Sequence, residues 1–186
     1  PILSNKEFFS CSKKNVVSLP FIDDFSYDFT SVDPELWQQS SVFVNRNYPI
    51  NPPTLGVATF DGMNEKGLAR DFFPPSSSEP SDTLLSQVID LSGQTSVYFM
   101  FYFQGKGIGD TPQIQDKLIL EFLKDSVWVQ KFVVNGQAMQ EFKKEVIIID
   151  SAHYLTNNFQ FRFRNYATVS GNFDHWHIDY VKLDAF

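Results

Sequence analysis

Residues 159–167 read FQFRFRNYA, the cleanest alternating pattern in the chain. In an extended backbone Phe159, Phe161 and Phe163 fall on one side, and Gln160, Arg162 and Arg164 on the other. One face then suits a core and the other suits solvent or a ligand. The pattern predicts a strand in a sheet that has a second layer behind it.

Most of the chain repeats this theme. KLILEFLKD (117–125) alternates Leu118, Leu120 and Phe122 with Ile119, Glu121 and Leu123. SVWVQKFVVNG (126–136) follows after a polar break, so the two predict a hairpin. TSVYFMFYFQG (95–105) is apolar on both faces and predicts a central strand. NVVSLPF (15–21), SVFVN (41–45), GVATFDG (56–62), DTLLSQVIDLSG (82–93) and FKKEVIIID (142–150) read as further strands. In the closing HWHIDYVKLD (175–184), strict alternation puts Trp176, Ile178 and Tyr180 on one face and His177, Asp179 and Val181 on the other. DPELWQQS (33–40) instead suits a single helical turn, with Asp33 as cap and Pro34 in first position. Pro-rich NYPINPPTLG, Ser/Pro-rich FFPPSSSEPSD and Gly-rich GKGIGDTPQIQ read as loops. About ten short strands and no heptad, long amphipathic helix or repeat predict an all-β fold, a two-sheet antiparallel β-sandwich of jelly-roll type. A chain of 186 residues suits one domain, drawn as a lead-in at 1–18 and a sandwich at 19–186.

Composition narrows the function. The 20 phenylalanines favour pleated, half-buried surfaces. A net charge of −7 argues against nucleic acid or an anionic membrane as partner. Cys11 is the only cysteine, so no intramolecular disulfide forms, and its polar surroundings give it no nucleophile signature. No apolar run approaches the roughly 20 residues of a membrane span. The start at Pro1 rather than Met is permissive of export.

Three constellations carry possible chemistry. His175 and His177 share a strand face, the His-x-His spacing of some zinc sites, with His153, Asp174 or Asp179 to complete the set. The alternative is a pair of rim histidines on a terminal strand. Asp23, Asp24 and Asp179 form the second. First and last strands often neighbour each other in a sandwich, so these acids predict a structural calcium site, against a reading as turn and capping residues. Third, Trp37, Trp128 and Trp176 are candidates for stacking on sugar rings, with burial in the core as the alternative for each. Arg162 and Arg164 project from one strand face as a binding surface or a solvated one. No catalytic residue is assigned. Glu121 and Asp125 lie four apart and are the pair a glycoside hydrolase or lyase reading would use. There is no GxSxG elbow, and GKGIGD lacks the Lys-Ser/Thr of a phosphate loop.

The segments LPFIDDFS, ATFDG, SDTLLSQVIDLSG and DHWHIDYVKL, in that order, resemble the concanavalin A-like jelly-roll modules of the MAM-like, choice-of-anchor and cleaved-adhesin kind. These modules occur in surface and type IX secretion-associated proteins of Bacteroidetes. The likeness spans about residues 19–184 and is carried at fold level. It implies an extracytoplasmic location and a non-catalytic binding, adhesion or assembly role, with a glycan or an envelope or secretion-system protein as partner. It also implies a cation near Asp24 and Asp179. MAM domains carry disulfides, and here this chain departs from them.

Overall fold

The computed structural model of the protein describes residues 15–28, 30–73, 78–139 and 141–186. Cys11 and most of the expected lead-in lie outside the described residues, as do residues 74–77 of the Ser/Pro-rich loop. Thirteen strands and no helix occur among the described residues. They are β1 (Val16–Val17), β2 (Phe21–Asp23), β3 (Trp37–Ser40), β4 (Phe43–Asn45), β5 (Val57–Phe60), β6 (Glu79–Ser86), β7 (Val88–Ile89), β8 (Val97–Gly105), β9 (Lys117–Lys124), β10 (Val127–Asn135), β11 (Lys143–Ile149), β12 (Phe161–Ala167) and β13 (Trp176–Ala185).

The protein is an all-β sandwich. One sheet has the order β10-β9-β12-β6-β3; the other runs β11-β8-β13-β5-β4, with β2 also paired to β13. Pairing within both sheets is antiparallel, and β1 and β7 add a short parallel pair beside them. The second strand and the last do meet, through Val181 opposite Asp23. Val16 and Val17 stand in register with Val88 and Ile89 in the short β1–β7 pair.

The alternation in FQFRFRNYA sets the core. Phe161 and Phe163 are fully buried between the sheets, against Phe99 and Phe101 of the opposite sheet at ring separations of 4.6 and 4.9 Å, edge to face. Each such pair adds about 0.5–1.5 kcal/mol beyond area burial. Arg162, Arg164 and Tyr166 consequently face outward.

Two elements differ locally from expectation. The single turn at Asp33 forms, with the Glu35 amide donating to Asp33 Oδ1 at 2.9 Å, but it does not extend to residue 40: Trp37–Ser40 is strand. Strand pairing along β6 wins over the local helical signal. In β13 the inward set is Trp176, Ile178, Val181 and Leu183, all fully buried. Tyr180 adopts φ 48° at a bulge between Asp179 and Lys182, which shifts the alternation by one residue and turns Tyr180 outward.

Candidate functional site

The outward face of the five-stranded sheet gathers Trp128 and both predicted arginines. Arg162 on β12 stands opposite Glu121 on β9, and Gln130 on β10 stands on the far side of Glu121. Arg162 Nε donates to Glu121 Oε2 at 2.6 Å. Arg164 Nε lies 3.1 Å from the same oxygen, an ion pair too far off line for a hydrogen bond. The Arg162 guanidinium stacks on Trp128, 4.3 Å from the ring centroid, and that of Arg164 lies 5.7 Å from Tyr166. Glu121 is 8% exposed and the arginine side chains are 21% and 23% exposed. A single buried carboxylate thus anchors two guanidinium groups, and an aromatic ring backs each. The sequence presents Glu121 as a candidate catalytic acid; its role as the tether was missed. Cross-strand register, invisible without the fold, is the signal that reveals it.

Trp37 does not join this face. It is 2% exposed within the core, packed edge to face on Phe21 and Phe161, and its Nε1 donates to Asp23 Oδ2 at 2.6 Å. Trp37 is corrected from a stacking platform to a core residue. Asp23 is its acceptor, and also accepts from the Phe25 amide and the Tyr27 hydroxyl. Burial pushes the Asp23 carboxyl up to about 6 against these bonds. Asp23 is accordingly occupied by donors inside the sandwich.

Asp24 and Asp179 do come together, around a residue the sequence reading overlooked. The Thr54 amide donates to Asp179 Oδ2 at 2.9 Å. Thr54 Oγ1 lies 2.8 Å from Asp179 Oδ1, 2.7 Å from the Asp24 carbonyl oxygen and 3.4 Å from that of Gly56. Asp179 is buried, and burial pushes it up to about 6. Thr54 thus meets both Asp179 oxygens and the Asp24 backbone carbonyl, while the Asp24 carboxylate accepts from the Ser26 amide at 3.0 Å. Among the described residues, no three His, Cys, Asp or Glu side chains form a metal-binding group.

His175 and His177 are both buried beneath the loop after β8. Thr59 Oγ1 lies 2.8 Å from His177 Nδ1, and His177 Nε2 lies 3.3 Å from the Lys106 carbonyl. Those partners suit a neutral ring, and burial holds its pKa down to about 3. The Asp110 amide donates to His175 Nδ1 at 2.9 Å, and the His175 ring stacks on Tyr48. Gly107 and Gly109 let the backbone lie against the two imidazoles. These histidines anchor a loop.

Comparison with known proteins supports the architecture. No family model matches the chain, and no curated protein matches it. Among solved structures, the chain is similar to the CBM22-1 xylan-binding domain of a Paenibacillus barcinonensis protein, with TM-score 0.51 and 8% identity over 88% of this chain and 92% of that one. It is also similar to part of an arabinose-bound α-L-arabinofuranosidase, with TM-score 0.55 and 9% identity over 89% of this chain and 26% of that longer one. A cleaved adhesin domain of Lys-gingipain from Porphyromonas gingivalis matches at TM-score 0.46 and 9% identity, over 78% of this chain and 83% of that one. At these identities the likeness is one of fold.

Proposed function

We propose that this protein is a non-catalytic carbohydrate-binding module. Its binding surface is the outward face of the five-stranded sheet, centred on Trp128, Arg162 and Arg164. The observation that carries this reading is the Arg162–Trp128 stack fixed through Glu121. Planar groups held in place beside hydrogen-bond donors are what a sugar ring needs for stacking and orientation. Xylan binding by a protein of similar fold is in keeping with it. The role belongs outside the cytoplasm, on an exported surface or secreted protein, as the resemblance to cleaved-adhesin modules implies. Under this reading Asp24 and Asp179, with the Asp24 and Gly56 carbonyls, hold a structural calcium ion that fastens the Thr54 loop to the last strand.

A hydrolase or lyase built on Glu121 and Asp125 has less support. Four residues along a strand span about 13 Å, beyond the roughly 5–9.5 Å between carboxyls that glycoside hydrolysis uses. Asp125 also sits in the β9–β10 turn, and Glu121 is engaged by two arginines.

A glycan panel tests the reading. Wild-type protein is expected to bind at least one oligosaccharide, and Trp128→Ala to lose that binding while keeping its unfolding temperature within a few degrees. Binding to envelope proteins and to no glycan would redirect the role to protein adhesion.

A further inference from the structure

We infer that the ligand of this face is an anionic glycan, and that Arg162 and Arg164 receive the carboxylate of a uronic acid residue. The inference rests on the proposed sugar-binding reading and specifies its ligand class.

Charge imbalance comes first. Two guanidinium groups share one carboxylate oxygen, so the Arg162–Glu121–Arg164 triad carries an excess positive charge. All three side chains are more than three-quarters buried. A partly desolvated cation in excess is costly until an anion completes it. The outward positions paired with the triad supply no such anion among the described residues. Facing outward around the triad are Thr83 and Leu85 on β6, Ile119 on β9, and Trp128 and Gln130 on β10. The register of Lys117 with Tyr166 puts a third cation on this face. Three cations against one carboxylate stand out on a chain of net charge −7. Charges farther away are screened over about 8 Å at physiological ionic strength, so the local excess decides what approaches.

Donor geometry comes second. A guanidinium has five N–H donors, one at Nε and four at the two Nη atoms. Glu121 accepts from Arg162 Nε and pairs by charge with Arg164, whose buried Nε makes no hydrogen bond, and the Nη atoms of neither make a hydrogen bond to the described residues. The Trp128 and Tyr166 rings lie against the two groups, 4.3 and 5.7 Å from the guanidinium carbons of Arg162 and Arg164. Two guanidinium forks held in this way are prepared for bidentate acceptance of a planar carboxylate. A neutral sugar would leave the excess charge uncompensated.

The decisive experiment is calorimetric titration of the purified protein with galacturonate, glucuronate and mannuronate oligosaccharides. Each is paired with the neutral oligomer of the same linkage, and a sulfated oligosaccharide is included. A uronate oligomer is expected to bind at least tenfold more tightly than its neutral counterpart, the scale of a good charge-assisted pair. Arg164→Gln is expected to remove that preference, so that the uronate oligomer and its neutral counterpart bind alike. Arg164→Lys keeps the charge without the fork and is expected to fall between; it also covers the case in which the Gln variant does not fold. Equal binding of neutral and uronate oligomers overturns the inference and leaves the sugar-binding reading standing. Preference for the sulfated oligomer overturns the carboxylate assignment. Binding of neither neutral nor anionic sugars overturns both.

Discussion

Thr54 Oγ1 has one proton to donate and two close acceptors, Asp24 O at 2.7 Å and Asp179 Oδ1 at 2.8 Å. With the proton on the Asp24 side, the Asp179 contact needs a proton from Asp179 itself or a cation between them. Burial favours the proton, since it pushes Asp179 up to about 6. A carboxyl whose folded pKa lies above its ordinary 3.8 stabilises the fold fully below that value and loses the contribution as pH rises through about 6. Asp23 and Asp116 also move up to about 6, chiefly by burial, and act in the same sense. His177 opposes them, because its lowered pKa makes its contribution full above 6.5 and erodes it as pH falls toward about 3. Asp179→Asn supplies an uncharged donor to Thr54. In EDTA it is expected to gain on the order of 1–2 kcal/mol at about pH 7.5 and to flatten the loss of stability between about pH 4.5 and that point. Urea unfolding across the range reads this directly. A variant that is less stable at the upper pH with an unchanged slope contradicts the protonated carboxyl.

At the scale of elements, the β9–β10 hairpin turns on Asp125 and Ser126, with φ 49° and 67°. Positive φ at both central positions is the type I′ pattern, which Asn-Gly fits best. Asp125→Asn with Ser126→Gly is expected to raise stability by about 0.5–1 kcal/mol, read as a higher urea midpoint. The loop over the histidines is the opposite case. A Cβ at Gly107 would overlap the Tyr48 carbonyl and the His177 ring at a φ of +56°, so Gly107→Ala is expected to cost about 2–3 kcal/mol. Alternation made β12 legible in the sequence, because its phenylalanines face one way and its arginines the other; β9 and β10 were legible as apolar-rich runs parted by the polar break at Asp125 and Ser126. The bulge in β13 was missed: the apolar positions of HWHIDYVKLD run Trp176, Ile178 and then Val181, Leu183, a slip of one residue that leaves Tyr180 ambiguous between the two faces. Trp37 was equally ambiguous, since a sugar platform and a core indole have the same neighbours in sequence. The Phe21–Trp37–Phe161 packing that decides it joins strands far apart in the chain.

For the whole molecule, the sandwich brings the Arg/Trp face into being by register alone, and it was legible only in parts. Arg162, Arg164 and Trp128 were found as exposed types on strands; Glu121 as their tether and Tyr166 as a second prop needed the pairing of β12 with β9. Calcium belongs at this scale too, because it would tie the first strands to the last. It is expected to raise the unfolding midpoint at about pH 7.5 and to do so less at about pH 5, where Asp179 holds a proton in its place. No shift at either pH would leave Asp24 and Asp179 to hydrogen bonding alone. The most direct test of the sugar-binding surface is to map backbone amide shifts while adding the tightest glycan from the panel. Shifts concentrated on β9, β10 and β12 around Glu121, Trp128, Arg162 and Arg164 are expected. Shifts confined to the connecting loops, or to the outward side of the six-stranded sheet, would contradict that surface.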